Sequence, residues 1–255
     1  MKTNRQKRLY NKEFCEIYGY HAVFAALKNP KRKHKILYLN KNLRNPITSE
    51  IRNIVPQINE LQKNEMSKMF GNESNHQGIV LKTSKINQPS LEEVILNKKQ
   101  DESDIIVMLD QVTDPNNIGS IMRSCSLFNC KSIIVSKDNS PDITPAMAKA
   151  ASGALEIINF IPVVNLSRAI IYLKKNNYWV YGFDSNKKNI EELEFSKKTV
   201  IVFGSEGKGL RNLTKKECDK IISIPINKNT KYKIDSLNVS NACSIALFEH
   251  FKKNY

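Results

Sequence analysis

One carboxylate, Glu206, stands inside a loop punctuated by Gly204, Gly207 and Gly209. Glycine takes positive φ and carries no Cβ, so such a loop lets a ligand come close to the backbone. The spacing is neither GxGxxG nor the P-loop pattern, and neither standard nucleotide motif applies. A second polar loop, DQVTDPNNIGSIMRS from Asp110 to Ser124, offers Asp114-Pro115 as a turn and Asn116 or Asn117 as a helix cap. In it, Gly119 allows close approach at the helix start, and Arg123 follows one or two turns into the helix. A third loop runs from Pro225 to Asn241 and ends in Ser236, Leu237 and Asn238. Together these place one carboxylate, one guanidinium, amides and a hydroxyl in polar loops. Taken singly, each loop reads as a plain structural feature: a glycine turn with a solvated Glu, a capped helix with an exposed Arg, an Asn N-cap.

The elements that must position these loops alternate. Continuous apolar runs at Asp104–Leu109 and Thr199–Phe203 predict strands buried on both faces. Lys131–Val135, Tyr178–Phe183 and Ile221–Ile224 predict further strands. Helices are expected over Ile118–Phe128, Ile143–Ala151, Ser167–Asn176 and Val239–Phe251. This alternation predicts an α/β fold with a mainly parallel sheet, whose sites lie beyond the carboxyl ends of its strands. Ahead of it, residues 13–85 predict a small α/β domain: a helix over Ile17–Leu27, a strand Ile36–Leu39, a helix from Pro46 through Val55, a polar strand-and-helix region over Ile58–Phe70, and a strand Ile79–Ser84. Residues 1–12 read as a basic disordered arm, residues 86–103 as a linker, and residues 104–255 as the larger domain.

A net charge of +15 points to a polyanionic partner, because Lys and Arg that displace condensed counterions supply non-specific nucleic-acid affinity. The arm and the cluster Lys31–Lys35, which includes Arg32, are natural phosphate contacts. Richness in Lys, Asn and Ile together also fits an AT-rich coding sequence, which would account for part of that charge. No run of 18 or more apolar residues exists, and no membrane span is expected. The basic N-terminus lacks the apolar core of a signal peptide. Five scattered cysteines without a CxxC pair, and four dispersed histidines, suggest no disulfide framework and no metal site, which fits a reducing cytoplasm.

In order along the chain, DPNNIGSIMR, VFGSEGKGL and SIPI…SLNVSNA resemble the three motifs of the SpoU family of RNA ribose 2′-O-methyltransferases, within the SPOUT superfamily. SGALE followed by PVVNLSRAI, with YGYHAV and HQGIV nearer the N-terminus, is similar to the bacterial branch that methylates a guanosine ribose of large-subunit (23S) ribosomal RNA. The resemblance covers the chain from Tyr18 to Phe251. It implies a C-terminal domain tied in a deep trefoil knot, S-adenosylmethionine as cofactor, a homodimer, and an N-terminal domain that resembles ribosomal proteins binding folded RNA. By motif position it assigns cofactor contacts to Gly204, Ile224 and Leu237, and the catalytic and RNA-facing set to Asn117, Arg123, Glu206, Ser236 and Asn238. One stretch departs from the family: Ile226 to Asp235 is longer than usual, lacks glycine and carries Lys228, Lys231 and Lys233.

The chemistry implied is attack of a ribose 2′-hydroxyl on a sulfonium methyl, which demands alignment and removal of one proton. Arg123 either serves as the base or, staying charged, holds phosphate and stabilises the developing alkoxide while another group takes the proton. Glu206 is expected to orient Arg123 by a charge-assisted bond. Three other readings remain. A transfer-RNA guanosine 2′-O-methyltransferase of the same family shares all three motifs. A non-catalytic RNA-binding protein explains the charge without needing three intact loops. A dinucleotide-dependent oxidoreductase explains the sheet, but the glycine pattern after Asp104–Leu109 is wrong for one.

Overall fold

The structure, a computed structural model, describes residues 13–43, 49–71, 75–98, 102–138, 140–190, 194–227 and 236–254. The arm at 1–12 and most of the Ile226–Asp235 loop, with Lys228, Lys231 and Lys233, lie outside the described residues. In chain order the first elements are β1 (Phe14–Tyr18), α1 (Tyr20–Lys28), β2 (His34–Asn40), α2 (Ser49–Ile54), β3 (Ile58–Leu61), α3 (Lys63–Phe70) and β4 (Ile79–Ser84). Then come α4 (Leu91–Leu96), β5 (Asp104–Asp110), α5 (Pro115–Leu127), β6 (Ser132–Ser136), α6 (Pro145–Ala151), a 3₁₀ turn (Ala154–Glu156) and β7 (Asn159–Val163). The chain continues through α7 (Leu166–Lys175), β8 (Trp179–Asn189), β9 (Lys198–Gly204), α8 (Asn212–Glu217), β10 (Lys220–Ser223) and α9 (Val239–Asn254). By contacts it divides into two units, Met1–Asn87 with Ile143–Glu156, and Gln88–Asp142 with Ile157–Tyr255.

The first unit is a four-stranded mixed sheet in the order β1-β4-β2-β3, in which only β2 and β3 run parallel. The apolar spacing at Ile17–Leu27 belongs to two elements rather than one helix. Ile17 and Tyr18 pair with Leu81 and Val80 on β4, and the chain turns at Gly19, whose φ of 91° a helix does not accommodate, before α1 begins. Arg32 leaves the cationic cluster expected of Lys31–Lys35. Its side chain is 2% exposed and grips Glu156 with two bonds, Nε to Oε2 at 2.8 Å and Nη2 to Oε1 at 2.8 Å, while Nη1 donates to the Ser84 carbonyl at 2.6 Å. Asn29 Nδ2 adds a third donor to Glu156, at 2.7 Å. A guanidinium so satisfied is not available for phosphate; Lys31, Lys33 and Lys35 remain exposed.

The second unit is a six-stranded sheet in the order β10-β8-β9-β5-β6-β7, and every neighbouring pair is parallel. All seven residues of β5 are buried, as the continuous apolar run requires of a strand covered on both faces. One face packs Ile106, Met108, Ile134, Val200 and Val202 against Ile170 and Leu173 of α7. α4 joins the same core through Leu91, Val94 and Ile95, so this part of the 86–103 stretch is packed structure and not spacer. Its start is a capping box: Ser90 Oγ accepts from Glu93 N at 3.1 Å, and the Glu93 carboxylate accepts from Ser90 N at 2.8 Å. Aspartates close both ends of β5. At the amino end, Asp104 accepts from Tyr178 Oη at 2.6 Å and pairs with Lys98; burial and that carboxylate push the tyrosine hydroxyl well above its ordinary range.

His250, on α9, is 2% exposed, and neither ring nitrogen has a hydrogen-bond partner among the described residues. It packs edge-on against Phe195 with centroids 5.1 Å apart. Burial lowers its pKa from 6.5 to about 4, against the opposing pull of the Asp104 carboxylate. The unfolded chain therefore binds the proton more readily than the native one. Native stability is intact above about pH 6.5 and falls, by up to about 1.4 kcal/mol per pH unit, as pH drops toward 4. Replacing His250 with Phe is expected to flatten this part of the profile, which urea melts at pH 5 and pH 7.5 will measure.

Candidate active site

Because all six strands run parallel, their carboxyl ends reach one edge, and chain order diverges between β5 and β9: β6 lies on one side of β5, β9 on the other. Ligands in open parallel sheets sit in the crevice at such a switch point. The loops after β5 and β9 meet there, because the two strands pair in register from Asp104↔Lys198 to Asp110↔Gly204.

After β5 the cap of α5 is Asp114, not Asn116 or Asn117. Its carboxylate accepts from Asn116 N at 3.0 Å and Asn116 Nδ2 at 3.2 Å, and Pro115 starts the helix. A longer-range partner thus becomes available to Asn117, whose Nδ2 donates to Glu206 Oε1 at 2.9 Å. From the third loop, Asn238 donates Nδ2 to the same Glu206 oxygen at 2.6 Å and to Asn117 Oδ1 at 3.0 Å. Its own Oδ1 accepts from Ser240 N at 2.9 Å and Ser240 Oγ at 2.6 Å at the start of α9. Asn238 is therefore both helix cap and site residue: the cap fixes the amide that reaches Glu206.

Three loops, 89, 32 and 121 residues apart in pairwise separation, converge on one carboxylate oxygen. Glu206 is exposed, so each bond has a modest net worth of about 1 kcal/mol; the trio orients the loops more than it stabilises the fold. Glu206 Oε2 accepts no hydrogen bond among the described residues, and the residue is exposed.

Arg123 stands apart from this trio. The expected Glu206–Arg123 bond is absent among the described residues; Arg123 is exposed on α5, a helical repeat from Asn116 and one turn before exposed Leu127. Ser236 is exposed two residues before Asn238, Ile224 is half-buried just after β10, and Leu237 is 38% exposed. A cleft of about 380 Å³ lined by Gln111, Thr113, Ser205, Gly207 and Lys208 opens beside Glu206. Missed in the sequence was Asp110, fully buried at the end of β5, which accepts from Arg211 Nε at 2.6 Å and Thr214 Oγ1 at 2.6 Å. The only hint of it was a charged residue closing an apolar run.

Gly204 is also required by the loop itself. A Cβ there would lie 2.1 Å from Gly209 C, 2.2 Å from Gly209 O and 2.3 Å from Leu210 N, so the loop's return limb crosses its entry where only hydrogen fits. Gly209 N closes the turn on Ser205 O at 2.9 Å. Gly204→Ala must push backbone apart, and an overpacking loss of about 1–3 kcal/mol is expected in urea denaturation.

Among the described residues no helix is long and apolar enough to cross a membrane, and no three or more His, Cys, Asp or Glu are grouped to hold a metal ion.

The profile of the SpoU rRNA Methylase family matches residues 104–248, and that of the RNA 2′-O ribose methyltransferase substrate-binding domain matches residues 17–89. A 23S rRNA (guanosine-2′-O-)-methyltransferase, RlmB of Coxiella burnetii, is 34% identical over 91% of this chain and 93% of its own. An uncharacterised tRNA/rRNA methyltransferase of Synechocystis is 32% identical over 93% of this chain, which spans 62% of that longer relative. Among solved structures, the SpoU methyltransferase AviRb from Streptomyces viridochromogenes, in complex with AdoMet, superposes with TM-score 0.77 at 20% identity over 98% of this chain and 94% of its own.

Proposed function

The chain belongs to the SpoU rRNA methylase family, and from that premise we propose that it transfers a methyl group from S-adenosylmethionine to the ribose 2′-hydroxyl of a guanosine in 23S ribosomal RNA. The observation that carries this reading is the convergence of Asn117 and Asn238 on Glu206 at the carboxyl edge of β5 and β9. The substrate follows the relatives that cover nearly the whole chain, RlmB of Coxiella burnetii among them.

The residues assigned to the cofactor fit it. Half-buried Ile224 and partly exposed Leu237 offer apolar surface at the sheet edge, and the tight Gly204–Leu210 turn presents backbone groups rather than side chains. When bound, S-adenosylmethionine supplies an electrophilic sulfonium methyl. The chain's share is alignment and proton handling. Asn117 and Asn238 fix Glu206 from one side and leave Oε2 open to accept a hydrogen bond from the ribose hydroxyl. Arg123, with no carboxylate partner among the described residues, is placed to meet the adjacent phosphate and the developing alkoxide, the second of its two roles. Ser236, beside Asn238 in the third motif, completes the RNA-facing set.

The proposal includes a recognition domain over 13–85, joined through 86–103 to a knotted catalytic domain over 104–255, with the arm 1–12 and the exposed Lys31, Lys33 and Lys35 touching phosphate. The two profile matches support those bounds, while by contacts Ile143–Glu156 packs with the first unit. It includes a cytoplasmic setting, which the five free cysteines suit. It also includes a homodimer. On α9, Ala246 and Leu247 are core, but Ile245 is 37% and Phe248 47% exposed, and Leu127 on α5 is 67% exposed. A second copy packing there would cover this apolar face beside Arg123. A scattering mass of two chains is expected at micromolar concentration, reduced to one by the double change Ile245→Asp and Phe248→Asp.

The test of function is methyl transfer from labelled cofactor to ribosomal and transfer RNA, with ribose methylation mapped in each. A methylated guanosine in 23S rRNA is expected; efficient labelling of transfer RNA alone overturns the substrate, and failure to bind S-adenosylmethionine overturns the chemistry. Arg123→Ala is expected to lower turnover roughly 100- to 1,000-fold while cofactor affinity holds. Arg123→Lys should rescue little, lacking the planar fork.

A further inference from the structure

Asp110 takes no part in the chemistry above, yet it is the most heavily bonded carboxylate near the site. It is 0% exposed and closes β5 at the carboxyl edge. Through its backbone it is the register partner of Gly204, the residue where the glycine loop begins. Through its side chain it holds the residues immediately beyond the loop. Oδ1 accepts from Arg211 Nε at 2.6 Å, and Oδ2 accepts from Arg211 N at 3.2 Å and Thr214 Oγ1 at 2.6 Å.

Entry and exit of the loop are thus pinned at one residue. Between them Ser205 and Gly209 bridge, and Gly209 and Leu210 pass over Gly204 with no room for a methyl group. Glu206, Gly207 and Lys208, at the tip, are exposed and take none of these anchoring bonds at the base. Asn117 and Asn238 hold Glu206 at the tip, while the width of the loop below it is set at the base. Arg211, 43% exposed, neutralises a carboxylate that has no access to water, and the pair together with Thr214 shuts the base of the loop.

We propose that Asp110 is a positioning residue: a clamp that fixes the Gly204–Leu210 loop in the conformation that receives S-adenosylmethionine. This rests on the reading of that loop as a cofactor site. The clamp makes a different claim from general stability. A destabilised protein loses active molecules and so loses turnover, with affinities unchanged in the folded remainder. A loosened loop raises the KM for S-adenosylmethionine and leaves turnover at saturating cofactor, and RNA affinity, nearly alone.

Asp110→Asn keeps the size of the side chain and can still accept from Thr214, but it loses the charge that holds Arg211. Thr214→Val removes one donor and leaves the ion pair, so it covers the case in which Asp110→Asn fails to fold. Calorimetry with S-adenosylmethionine and its demethylated product, steady-state kinetics, and binding of a 23S rRNA fragment are measured on the full chain. Expected for Asp110→Asn is a loss of roughly tenfold or more in cofactor affinity, the worth of one charge-assisted bond, and a smaller loss for Thr214→Val. RNA affinity should stay within about twofold of wild type, well under the tenfold that such a bond commands. Unchanged cofactor affinity in either folded variant overturns the clamp, as does a fall in turnover with KM intact. Amide exchange of Gly204–Leu210 without ligand separates the two claims. Faster exchange in Asp110→Asn supports the clamp even if wild-type protein binds no S-adenosylmethionine, in which case it is the cofactor reading that falls; unchanged exchange overturns the clamp itself.

Discussion

The parallel pairing of fully buried β5 with β9, in register over seven residues, is the constraint on which the site depends. Parallel strands deliver their carboxyl ends to a common edge. Once Asp104–Asp110 and Lys198–Gly204 pair in this register, the loops carrying Asn117 and Glu206 have no other place to emerge. The driving force is ordinary: Ile106, Met108, Val200 and Val202 leave water together against α7. What is specific is the register. A slip of one residue would turn every side chain to the opposite face and break the level at which Asp110 faces Gly204.

On that platform the polar groups act as a hierarchy. Buried Asp104 and Asp110 close the two ends of the central strand with full sets of partners, as carboxylates out of water require. Exposed Glu206 takes weaker bonds from two amides on one oxygen, and its other oxygen has no partner among the described residues. Groups that hold the frame are dry and saturated, whereas groups proposed to meet RNA are wet and only partly engaged. Arg123 belongs with the second kind, since its charge is spent on no neighbour among the described residues.

Much of this was legible in the sequence wherever the signal is local. Continuous apolar runs marked β5 and β9, and glycines marked the loop between β9 and α8. The motif order drew Asn117, Glu206 and Asn238 together, and the side chains do meet. Other elements escaped for physical reasons. β7 carries Pro162 and is only partly buried, so it lacks the run of a central strand. α8 is six polar-rich residues held in place by Thr214 and Arg211, an interaction with a residue about a hundred positions away. α4 showed as a charged helix-like piece of the 86–103 linker, but its packing against the core was not legible. The particular partners of side chains far apart in the chain were harder to read: Arg32 reads as one cation in a cluster until Glu156 is seen against it, and the expected Glu206–Arg123 bond gave way to two asparagines.

The Arg32–Glu156 pair has a bearing on how the chain can be divided. Its partners lie 124 residues apart, and both belong to the unit that also holds β1 through β4. The N-terminal unit is therefore discontinuous in the gene although continuous in its packing. An expressed fragment ending near residue 90 would keep Arg32 and lose Glu156, leaving a guanidinium built for burial with nothing to neutralise it. The complementary fragment would carry the α6 segment without the strand it packs on. Moving the N-terminal unit of this chain as a whole therefore takes two stretches of sequence together, the second being Ile143–Glu156.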